Sequence, residues 1–138
     1  MKEPANSRLK SKLKTMSVTE LVELFRDFAI EQDKAMLYGE QRRVNALVWK
    51  LENVAEELKS REGDQRTALM RLYEHANAQV RVNAIKNTLA VAPEEARRAL
   101  EMLAASKEYP AAGETGTSVW ALDEGIFKPK SPHLFRAT

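Results

Sequence analysis

Hydrophobic positions recur at helical spacing along most of the 138-residue chain. Val18, Leu21, Val22, Phe25, Phe28 and Ala29 share one face at a 3.6-residue period, which predicts a helix running to about Leu37. Ser17-Val-Thr-Glu20 supplies its start, a capping box in which hydroxyl and carboxylate satisfy each other's backbone amide. Ile30 and Leu37 lie roughly opposite that face and give the helix two sides to cover. Gly39 breaks the period. A second helix, about Glu40 to Ser60, carries Val44, Leu47, Val48, Leu51, Val54, Ala55 and Leu58 as one stripe. Gly63 suits a left-handed stop, and Asp64 caps a short third helix from Gln65 to about Glu74. The fourth begins at Asn77, runs to about Val91 and turns Val80, Ala84, Ile85, Thr88 and Leu89 inward. Pro93 fits the first turn of a fifth, where its missing N–H costs nothing, and Glu94 and Glu95 sit at the positive end of its dipole. Residues 106–118 hold Pro110, Gly113 and Gly116 and predict a loop. A last short helix, about Ser118 to Glu124, stops at Gly125. No segment alternates with strand period, so the predicted fold is all-α, with about six helices.

The stretch from His75 to Ala96 has the grammar of a HEAT-type hairpin: a helix end, an Asn turn, a Val-Arg-led apolar helix and a Pro-started successor. Helices three and four form one such pair, and helix five with the last helix a degenerate second. Solenoids need about three repeats to bury a continuous core. The two long leading helices must supply the missing cover, which predicts a compact HEAT-like α–α stack rather than an extended superhelix.

Charge divides the chain further. Residues 1–14 carry Lys2, Arg8, Lys10, Lys12 and Lys14 against Glu3, a net +4. Residues 128–138 carry Lys128, Lys130 and Arg136 with no acid, a net +3, so residues 15–127 come to −5 within the total of +2. Residues 1–15 lack a sustained period and are expected to be a basic flexible arm. Residues 16–127 form the single domain, and 128–138, with Pro129 and Pro132, a basic irregular tail. An acidic body argues against a dedicated nucleic-acid surface, which needs a basic stripe on the fold itself. The lack of cysteine excludes disulfides, thiolate chemistry and zinc–cysteine sites. No apolar run approaches a membrane span and no secretory signal is evident, so the expected location is cytoplasmic.

Gly63-Asp-Gln-Arg66, Asn77-Ala-Gln-Val-Arg81, Ala92-Pro-Glu-Glu-Ala96 and Trp120-Ala-Leu-Asp-Glu-Gly-Ile-Phe-Lys-Pro129 resemble a family of small bacterial HEAT-like proteins known only as a domain of unknown function. The resemblance spans roughly residues 18–129, and the Trp120–Pro129 string is its most specific part. It implies an all-α HEAT-like fold in a bacterial cytosol and brings no catalytic residue.

Several residues invite a functional reading beside a structural one. Arg81 projects among Ala84, Ile85 and Thr88, where a guanidinium must find carbonyls or a carboxylate. Asp123 and Glu124 occupy a helix's last turn, against the dipole, and are candidates for a structural ion pair with Arg81 or another arginine, or for an acidic contact to a partner. Trp49 points away from the apolar stripe, among Arg42, Asn45, Glu52, Asn53 and Glu56, the setting of an interface anchor unless another element covers it. Trp120, beside Val119 and Leu122, reads as core. His75 fits a dipole contact at a helix end, His133 has no nucleophile nearby, and Tyr38 and Tyr73 read as amphipathic packing. No nucleotide loop, nucleophile elbow or metal-binding helix occurs, so no catalytic residue, metal or cofactor is expected.

The expected function is therefore a non-enzymatic protein-interaction module. Its partner-binding face comprises Trp49, Arg42, Asn45, Asn53 and Glu56. The acidic body suits a basic partner, of the kind a nuclease toxin presents to its immunity protein, and self-association through the same face is open. The alternative is a nucleic-acid binder using the basic ends with Arg42, Arg43, Lys50, Arg97 and Arg98.

Overall fold

The structure, a computed structural model, describes residues 4–106 and divides between Ala68 and Leu69 into two units. Among the described residues the chain is all-α. Its elements are α1 (Pro4–Lys14), α2 (Val18–Leu37), α3 (Gln41–Ser60), a 3-10 helix (Gln65–Leu72), α4 (Ala78–Lys86) and α5 (Pro93–Ala104). The predicted last helix, most of the loop before it and the basic tail lie outside the described residues.

In the first unit α2 and α3 form an antiparallel hairpin joined through Gly39, whose φ of 70° is one that glycine adopts without strain. The capping box forms as predicted: the Ser17 hydroxyl accepts from the Glu20 amide at 3.1 Å, and Glu20 Oε1 accepts from the Ser17 amide at 2.9 Å. Leu21, Val22, Phe25 and Ala29 of α2 and Leu47, Leu51, Val54 and Leu58 of α3 are buried. The hairpin is also tied outside the core, by Arg43 donating to Glu31 at 2.7 Å and by Lys50 Nζ lying 5.6 Å from the Phe28 ring centroid. The stripes are narrower than their periodicity suggested: Val18, Phe28 and Val44 are half-buried and Val48 is exposed, while on the opposite side of α2 Ile30 is half-buried and Leu37 exposed.

The segment expected to be a flexible arm is helical over Pro4–Lys14. α1 packs on α3, and its Leu13 is fully buried, a contribution of about 1.5–3 kcal/mol. Arg61, just past α3, donates to the carbonyls of Leu13 at 3.1 Å and Met16 at 2.9 Å while its Nε donates to Glu57 at 2.7 Å. A cation thus satisfies carbonyls at the negative end of α1, where the dipole favours it. Beyond α3 the chain turns through Gly63 (φ 79°) and Asp64 (φ 54°), the predicted left-handed stop. The Asp64 carboxylate takes Arg66 in a fork, from Nε at 2.9 Å and from the terminal nitrogen at 2.7 Å, with both side chains buried.

The second unit holds α4 and α5 packed together around Val82, Ile85, Leu89, Ala96, Leu100 and Leu103. Asn77 caps α4 as predicted, its Oδ1 accepting from the amides of Gln79 at 2.8 Å and Val80 at 3.2 Å. α4 ends at Lys86, short of the expected Val91, because side chains compete for its last carbonyls. Asn87 Nδ2 donates to Asn83 O at 2.8 Å, and Thr88 Oγ1 lies 3.0 Å from the carbonyls of both Ala84 and Ile85. Pro93 then opens α5 and holds Ala92 out of helical geometry at φ −144°. The expected third α-helix is instead a tighter 3-10 helix over Gln65–Leu72.

Candidate functional site

α3 is a helix with one face spent. Leu47, Leu51, Val54 and Leu58 turn inward, so a residue about 180° away on a 3.6-residue helix points away from that core. Trp49 occupies that position and is 61% exposed, an unusual place for the largest apolar side chain. Arg42, Asn45 and Glu56 are exposed around it. Gln41 Nε2 donates to Asn45 Oδ1 at 3.0 Å, which leaves the Asn45 side chain its amide nitrogen as a donor. Asn53 departs from expectation. It is half-buried, and its Nδ2 is out of contact with water and without a hydrogen-bond partner. All five residues expected to form a partner-binding face therefore lie on one rigid helix, four of them exposed.

The second unit contains a hollow of about 410 Å³, with Ile85, Ala99, Met102 and Leu103 as apolar lining and Arg81, Glu95 and Arg98 among its polar groups. Arg81 donates to the carbonyl of His75 at 2.7 Å and to that of Ala76 at 3.3 Å, so it ties the start of α4 to the turn before it. Its expected acidic partners, Asp123 and Glu124, lie outside the described residues, as do Trp120 and His133. His75 makes a different contact from the one expected: its Nδ1 accepts from the Asn77 amide at 2.9 Å.

Tyr73 also lines the hollow, with its hydroxyl 2.6 Å from Thr88 Oγ1. Burial raises the phenol above its ordinary pKa of 10.0, the hydrogen bond to Thr88 opposes this, and the charge of Glu95 adds to it. A phenol held protonated in this way binds and orients; it is the reverse of what a general base requires. Nothing local in the sequence connects Tyr73 with Thr88, fifteen residues further on. Among the described residues no group of three or more histidine or carboxylate side chains is placed to hold a metal ion. Nor, among them, is any helix long and apolar enough to cross a membrane.

With this geometry in place, known proteins add the following. No curated protein matches the sequence. The crystal structure of the protein RPA1889 from Rhodopseudomonas palustris CGA009 is similar, with a TM-score of 0.83 and 48% identity over 86% of this chain and 98% of that one. A family model described as a domain of unknown function, DUF2019, matches residues 19–123. That match takes in α2 to α5 and more than half of the sequence, and the chain belongs to the DUF2019 family.

Proposed function

We infer that this chain is a non-enzymatic, HEAT-like interaction module of the bacterial cytoplasm that binds another protein through the outward face of α3. One observation carries the reading: Trp49 is 61% exposed at the centre of a polar frame, on a helix whose opposite face is committed to the core. An indole there costs hydrophobic free energy in the free chain and returns it on burial, the behaviour of an interface anchor. Arg42, Asn45 and Glu56 surround it as the polar rim that fixes register. The HEAT-like description draws on Asn77-capped α4, Pro-started α5 and Arg81 binding the carbonyls of the preceding turn. Acrylamide quenching of a Trp120→Phe variant, which leaves Trp49 as the only indole, tests the reading. Ready quenching in dilute protein supports an open face; strong shielding in a monomer defeats it.

A second reading, nucleic-acid binding, draws on one observation. α1 carries Arg8, Lys10, Lys12 and Lys14, all exposed, with no acidic residue, on a helix pinned to α3 rather than on a loose arm. Four phosphate contacts give a slope of roughly −4 for log K against log salt on duplex DNA, reduced by about one for each cation replaced. A slope indifferent to those replacements ends this reading.

A further inference from the structure

The outward face of α3 is self-complementary about Trp49. Arg42 stands seven residues before the tryptophan and Glu56 seven after it; Asn45 stands four before and Asn53 four after. Seven residues are two helical turns to within about 20°, so Arg42, Trp49 and Glu56 form one row, with about 10 Å between neighbours. The asparagines flank that row symmetrically, one on each side.

We propose that the partner bound by this face is a second copy of the chain, with the two α3 helices antiparallel about a two-fold axis at Trp49. This rests on the reading of the Trp49 face as a binding surface and names its occupant. In such a pairing each position on the central row meets its mirror offset on the other helix. Trp49 meets the partner's Trp49, and Arg42 meets the partner's Glu56. Each opposite-charge pair occurs twice. A parallel pairing sets Arg42 against the partner's Arg42 and Glu56 against the partner's Glu56, like charge on like, so the sequence selects the antiparallel arrangement.

Off the row, each side of one helix meets the same side of the other: Asn45 stands beside the partner's Glu52 and Asn53 beside the partner's Ala46, and neither contact sets like charges together. An aromatic pair at the centre with charged pairs at the rim is the usual anatomy of a specific contact. The interface is one helix wide, which makes the dimer a weak, concentration-dependent one.

The test is a charge-reversal cycle read by sedimentation equilibrium, from roughly 1 µM to 1 mM, the span of weak specific complexes. Arg42→Glu and Glu56→Arg each place like charges opposite one another twice and are expected to weaken the dimer at least tenfold. The Arg42→Glu/Glu56→Arg double variant restores both pairs in swapped order and is expected to return to within about threefold of wild type. Both residues are exposed, and circular dichroism verifies that the helices persist in every variant. Three results overturn the proposal: a wild type that stays monomeric throughout, a dimer indifferent to either reversal, and a double variant no better than the worse single one. A monomer whose Trp49 is readily quenched overturns self-pairing alone. A monomer whose Trp49 is shielded removes the binding face as well.

Discussion

The fork between Asp64 and Arg66 is the most exacting point at which to perturb this fold. Both side chains are almost wholly buried, at 4% and 6% exposure, and the carboxylate holds the guanidinium through two nitrogens at 2.9 and 2.7 Å. Asp64 also has φ 54°, a conformation that asparagine tolerates about as well. Asp64→Asn therefore keeps shape and backbone and removes only the charge. Removing one partner of a buried pair costs about 3–5 kcal/mol, because the remaining ion stays desolvated. The amide oxygen still accepts one bond, which points to the lower end, about 3 kcal/mol. Urea unfolding at neutral pH measures it as a shift of midpoint at unchanged slope. The Asp64→Asn/Arg66→Met double variant no longer buries a guanidinium deprived of this carboxylate, so it should be more stable than Asp64→Asn alone. A single variant within about 1 kcal/mol of wild type, or a double variant worse than the single, would refute the reasoning.

Two further outcomes follow from the same structure. Leu13→Ala empties a fully buried position on α1 and should cost about 2–5 kcal/mol in urea unfolding, whereas an irregular arm would register no change. Tyr73 has its folded pKa raised above the unfolded value of 10.0, chiefly by burial. Its neutral form therefore contributes stability that is fully present below pH 10 and lost as pH rises through the folded value. Thermal melts of wild type should fall away above pH 10, and Tyr73→Phe should flatten that alkaline loss; an identical alkaline slope in both contradicts it.

The sequence exposed α2 and α3 clearly because period, caps and breaker agree there: a capping box at Ser17, a left-handed Gly39, and apolar residues at every expected turn of α3. The same period fixed the outward direction of Trp49. It could not reveal α1, whose eleven residues include only Leu9 and Leu13 as large apolar side chains and whose end is held by Arg61, 48 residues further on from Leu13. The early end of α4 was hidden for a related reason. Thr88 falls on the apolar side of the helical period, yet its hydroxyl turns back onto the carbonyls of Ala84 and Ile85 and closes the helix. The half-burial of Asn53 likewise depends on packing that spacing along one helix does not encode. Direction along an amphipathic helix is local information; cover supplied by another element is not.

Whether the outward face of α3 is a recognition surface is decided by hydroxyl-radical footprinting of Trp49 in living cells and in dilute purified protein. Met102 on α5, 71% exposed, serves as the internal standard. A recognition surface there makes Trp49 oxidise readily in dilute protein and leaves it several-fold protected relative to Met102 in cells. Equal reactivity in both settings means that nothing covers this face.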